Sequence, residues 1–83
     1  MGREAMPVHV GKLIERTLHA QGRSVTWFAV QLCCTRPNVY KIFAKASIDT
    51  SLLWRISHIL EHDFFQELSE AMEEAVAKRA TEV

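Results

Sequence analysis

Cys33 and Cys34 stand side by side in the chain, and His58 and His62 stand four residues apart. Thiolates and imidazoles are ligands of zinc and copper, and two histidines at i, i+4 can chelate on one helix face. Neither pair completes a site. A zinc centre takes three or four ligands, and the sequence has no CxxC and no HxxxH paired with cysteines at zinc-finger spacing. A helix boundary is also expected between His58 and His62. Adjacent cysteines rarely bridge one another, because the short ring strains the peptide between them. Cys33 and Cys34 therefore read as partly buried packing residues. No nucleophile elbow, phosphate loop or HExxH occurs. The acids gather on one helix as a solvated face, and no pair is set up for general acid–base work. The expectation is no catalytic residue, no metal, no cofactor and no enzyme.

A second set of side chains is more informative. Arg36, Asn38, Tyr40, Lys41 and Lys45 alternate with Val39, Ile42 and Phe43. On a helix the first group shares one side, interrupted only by Pro37 and Ala44, and the second group faces the other way. The bland reading is a solvated helix face, since Lys and Arg are mostly exposed in any protein. The alternative is a basic face with a partner, and the charge pattern favours it. The formal net charge is zero over 83 residues. Residues 1–60 nevertheless hold eight Lys or Arg against three acids, while residues 61–83 hold two against seven. A basic working face and an acidic tail follow from that asymmetry.

The elements that position these residues are all helical. No alternating β-branched run is bounded by turns. Val10, Leu13, Ile14, Thr17 and Leu18 mark one face of a first helix, roughly Val8 to Gln21, with Pro7 at its start and Gly22 just past its end. Ser24 caps a second helix that buries Val25, Phe28, Ala29 and Leu32. Thr35 caps a third, starting at Arg36, because Pro37 is tolerated only in a first turn. Asp49 or Thr50 caps a fourth, with Leu52, Leu53, Ile56, Ile59 and Leu60 apolar, and Asp63 caps a fifth. Its end, Lys78 to Val83, is expected to fray. The fold class is all-α, five short helices in one compact domain. Residues 1–7 read as a flexible N-terminus, 8–69 as the domain and 70–83 as an acidic extension of the last helix. The pair Ser24–Leu32 and 36–44, joined by a three-residue turn, has the layout of a helix-turn-helix. An apolar content of 48% fits a folded domain, and no stretch has the ~18 apolar residues of a membrane span. A soluble, cytoplasmic chain is expected.

On Ser24, Phe28-Ala29, Leu32, Thr35, Val39, Ile42 and the later LLWRISHIL stretch ending in HDFF, residues 9–68 resemble the phage-repressor and Cro-like helix-turn-helix domain. This is the xenobiotic-response-element class. The unit SVTWFAVQLCCTRPNVYKIF is also similar to small regulators of Bacteroidetes bacteria. Three positions depart from the family pattern. Cys33 stands where Gly is usual in the turn, a place that often needs φ > 0. Val25 replaces the Gln that commonly opens the second helix, and Ala44-Lys45 replaces a common Asn-Gly.

The resemblance implies a sequence-specific, DNA-binding transcriptional regulator, a repressor by type, whose helix 36–44 reads the major groove. Carried over, the base contacts are Arg36, Pro37, Asn38, Tyr40 and Lys41. Arg36 suits guanine O6/N7, and Asn38 suits adenine N6/N7 or a phosphate. The phosphate contacts are Arg23, Thr26, Thr35, Lys45 and Ser47. Trp27, off its helix's apolar stripe, reads either as a core-edge tryptophan or as a contact to DNA backbone or a partner subunit. Family members act as dimers, and Trp54, Met72 and Val76 are assigned to a homodimer interface. The partners are double-stranded DNA and a second copy of the chain. No membrane and no small-molecule ligand is expected. The competing expectation is a protein-interaction module that keeps the fold and has lost DNA binding.

Overall fold

The computed structural model describes residues 8–81, the side chain of Thr81 excepted. The expected flexible N-terminus, 1–7, and the last two residues lie outside the described residues. Five helices follow one another: α1 (Val10–Ala20), α2 (Val25–Leu32), α3 (Arg36–Phe43), α4 (Thr50–Leu60) and α5 (Phe64–Thr81). Among the described residues there is no strand.

Local chemistry starts each helix. Ser24 Oγ accepts from Trp27 N–H at 3.0 Å, Thr35 Oγ1 from Asn38 N–H at 3.4 Å and Asp49 Oδ1 from Leu52 N–H at 2.8 Å. Asp63 Oδ1 does the same for Gln66 N–H at 3.0 Å. Each bond satisfies one of the amide donors that a helix start leaves without a partner. α1 departs from expectation. It begins at Val10 and not Val8, and its cap is His9, whose Nδ1 accepts from Lys12 N–H at 3.1 Å. The next amides, of Val10 and Gly11, donate to the carbonyls of Ala46 and Lys45, both at 2.9 Å. The start of α1 is thus fixed by the loop after α3.

Three helices end in one way, with a left-handed residue and a six-to-one hydrogen bond. Gly22 (φ 70°) closes α1, with Arg23 N–H on the Leu18 carbonyl at 3.2 Å. Cys33 (φ 57°) closes α2, with Cys34 N–H on Ala29 at 2.9 Å. Glu61 (φ 50°) closes α4, with His62 N–H on Ser57 at 3.0 Å. The φ > 0 requirement at Cys33 is therefore met by a cysteine. Cys33 is exposed, contrary to the reading of it as partly buried, because the left-handed corner places it outside the turn. Cys34 is half-buried and packs against the core.

The core draws on every helix: Ile14 and Leu18, Phe28 and Leu32, Val39 and Phe43, Leu53 and Ile56, and Phe64 are all buried. Phe28 and Phe43 stack between α2 and α3, with centroids 6.3 Å apart and planes 7° from parallel. Gly11 lies against the end of α3 so closely that an added Cβ would stand 2.3 Å from the Phe43 carbonyl oxygen. α5 stays helical to Thr81, beyond the expected fraying at Lys78. Lys78 and Arg79 in its last turn suit the negative end of the helix dipole.

Candidate nucleic-acid interface

α3 separates its residues by side. Val39, Ile42 and Phe43 are buried, while Arg36, Pro37, Asn38, Tyr40 and Lys41 are all exposed. At about 100° per residue, the arc opposite the core centres on Pro37 and Ala44. Tyr40 and Lys41 lie on either side of that centre, and Arg36 and Asn38 lie at its flanks. The five residues assigned to base contacts therefore share one solvent-facing surface, but its middle is apolar. Tyr40 is held edge-on to Phe43, with centroids 6.1 Å apart, so its hydroxyl projects from a braced ring.

The residues assigned to phosphate surround this surface in sequence and are all exposed. Thr26 is in the first turn of α2, and Thr35 caps α3. Lys45 and Ser47 occupy the loop after α3. Arg23 lies flat on Trp27, its Cζ 4.1 Å from the ring centroid. A stacked guanidinium keeps its edge donors free for an anion. Trp27 is half-buried and packs against the core, the core-edge placement of its two readings. From Arg16 to Leu60 the chain has one acid, Asp49, whose Oδ1 serves as the α4 cap.

Arg55 joins this surface although no expected contact falls on it. It is exposed on α4, and one Nη donates to the Leu32 carbonyl at 3.3 Å, across the end of α2. Asn38, Lys41, Lys45 and Arg55 line an open cleft of about 270 Å³ between α3 and α4. The signal that could have found it is position: Arg55 falls three residues after Leu52 and four before Ile59, on the flank of the apolar stripe.

The assigned dimer residues lie elsewhere. Trp54, Met72 and Val76 are 63%, 63% and 58% exposed. Trp54 has His58 at 5.3 Å and Phe65 at 6.2 Å between ring centroids, an aromatic cluster at the α4–α5 corner. Phe65, Met72 and Val76 follow at helical spacing on one side of α5. His58 and His62 are separated by the end of α4, and His62 Nε2 pairs with Glu67 Oε1. Among the described residues no three His, Cys, Asp or Glu side chains gather as a metal site.

Fold and surface together define a small all-α chain in which a short turn joins α2 to α3 and α3 presents an exposed basic face. No protein-family model matches the sequence, and no curated protein or solved structure matches it either.

Proposed function

We propose that this chain is a sequence-specific DNA-binding transcriptional regulator of the phage-repressor and Cro-like class, a repressor that places α3 in the major groove. The observation that carries the reading is the surface of α3. It presents Arg36, Asn38, Tyr40 and Lys41 to solvent, opposite a wholly apolar buried side, within a 45-residue stretch holding a single acid. Such a surface has no intramolecular use, and it complements a polyanion. Arg36 and Asn38 at the flanks can hydrogen-bond base edges, and the Pro37 ring at the centre can pack on a thymine methyl. Trp54, Met72 and Val76 supply the homodimer contact, which matches two-fold symmetry to a palindromic operator. A regulator of this kind works in the cytoplasm, and no helix among the described residues is long and apolar enough to cross a membrane.

The test is a salt titration of binding to mixed-sequence duplex, read by fluorescence anisotropy. Binding should weaken steeply with salt, and Lys41→Ala should reduce the slope by roughly one unit. A second reading is a protein-interaction module of the same fold, favoured by the apolar centre at Pro37 and Ala44 and by Val25 opening α2. Absence of duplex binding at about 50 mM salt would decide for that second reading.

A further inference from the structure

The cleft between α3 and α4 adds something that the groove-reading surface does not contain. Three cations border it: Lys41 from α3, Lys45 from the loop and Arg55 from α4. Asn38 adds an amide, and Ile42 and Leu52 make an apolar floor. None of the three cations has an acidic partner among the described residues. Asp49, the acid nearest in sequence, already serves the α4 cap. Like charges gathered without counter-charges repel one another, so the arrangement gains from an anion. The volume of about 270 Å³ equals roughly nine waters' share of liquid volume, ample for a tetrahedral oxyanion on a chain.

Arg55 is also oriented. Its bond to the Leu32 carbonyl uses one of five N–H donors and fixes the guanidinium against the end of α2. The remaining donors form a fork that suits two oxygens of one phosphate. Lys41 and Lys45 come to the same cleft as point charges. Lys41 thereby lies between the groove-reading surface and the cleft, and Asn38 faces the cleft side of α3.

We infer that this cleft is a phosphodiester clamp, in which Arg55, with Lys41 and Lys45, grips one backbone phosphate of a bound duplex beside the groove that α3 enters. The inference rests on the DNA-binding reading and adds α4 to the contact surface. The clamp fixes the register of α3 along the groove and carries no sequence information of its own.

The experiment compares salt slopes of duplex binding for the full chain, Arg55→Met, and the control Arg16→Met on α1. Loss of one phosphate contact lowers the slope by about 0.9, so Arg55→Met should shed about 3- to 4-fold of the affinity change between 50 and 200 mM salt. Arg16→Met should leave the slope unchanged. A wild-type chain that binds duplex with a slope unaltered by Arg55→Met overturns the clamp and leaves the DNA reading standing. A wild-type chain that does not bind removes both. Should Arg55→Met unfold, the Arg55 Nε–H resonance of the unmodified chain carries the same test. It should shift on adding duplex, and no shift on saturation rejects the clamp. Inorganic phosphate at matched ionic strength separates a free anion from a backbone phosphate. An equal shift with phosphate alone would overturn the duplex as the source.

Discussion

Cys33 shows how one residue can satisfy a fold at a cost. Its backbone is left-handed (φ 57°), where an L side chain crowds the following carbonyl. The turn needs that conformation, because the Cys34 N–H must reach the Ala29 carbonyl to close α2 and aim the chain at Thr35. Cys33 is exposed, so its side chain loses little packing when removed. Cys33→Gly should therefore stabilise the chain by up to about 1 kcal/mol, the left-handed strain outweighing the greater freedom of Gly in the unfolded state. In a domain of this size that is a rise of roughly 4–8 °C in Tm, read by circular dichroism. Cys33→Val should lower it, since a β-branched side chain fits that conformation worse. A glycine variant melting below the parent would show that the thiol packs in a way its exposure does not suggest.

Helix boundaries were legible in the sequence because their causes are local. Ser24, Thr35, Asp49 and Asp63 each lie three residues before the amide they accept from, and Pro37 fits only a first turn. The buried sets of α2 and α3 follow from spacing alone. What was not legible depends on distant partners. The start of α1 is set by carbonyls of Lys45 and Ala46, some 35 residues on, so neither Pro7 nor Val8 marks it. Arg55 gains its place from a carbonyl 23 residues away and Gln21 from the Leu60 carbonyl 39 residues away. No periodicity encodes such pairs. Glu61 is left-handed without a residue type that announces it. The clearest consequence at this scale is Gly11. A methyl there would meet the Phe43 and Ile42 carbonyl oxygens at 2.3 and 2.5 Å. Both are backbone atoms that cannot rotate aside, so α1 and α3 must separate. Overpacking of this kind costs about 1–3 kcal/mol or more, beyond the ~1 kcal/mol that Ala gains over Gly in a helix. Gly11→Ala should lose about 2 kcal/mol by urea denaturation. Because α1 braces the loop that carries Lys45 and Ser47, its duplex binding should weaken as well. Unchanged stability would mean that the helices tolerate a wider spacing.

The molecule as a whole is longer than its core requires. Its extents are 48 × 26 × 21 Å, and its radius of gyration of 14.6 Å exceeds the roughly 12 Å usual for a compact chain of this length. The excess comes from α5, whose last core contact is Leu68 while the helix runs on to Thr81. Along that projecting part Met72 and Val76 are exposed on the same side as Phe65, which touches Trp54. An isolated acidic helix has no reason to keep an apolar stripe, and a second copy packed along it would bury the stripe and add the stability that a small core lacks. The acidic balance after residue 60 also suits a surface turned away from DNA, with the basic segment facing it. Met72→Gln with Val76→Gln tests this without changing charge. Both positions are exposed and Gln is a good helix former, so each change should alter the stability of one folded chain by no more than about 0.5 kcal/mol. Sedimentation equilibrium should show a dimer for the parent and a monomer for the double variant at micromolar concentration. Affinity for a duplex with two half-sites one helical turn apart should then fall to that for a single half-site, with single-site affinity unchanged. A parent chain that sediments as a monomer, or a double variant that remains dimeric, would remove α5 from the interface and leave the α3 surface to act alone.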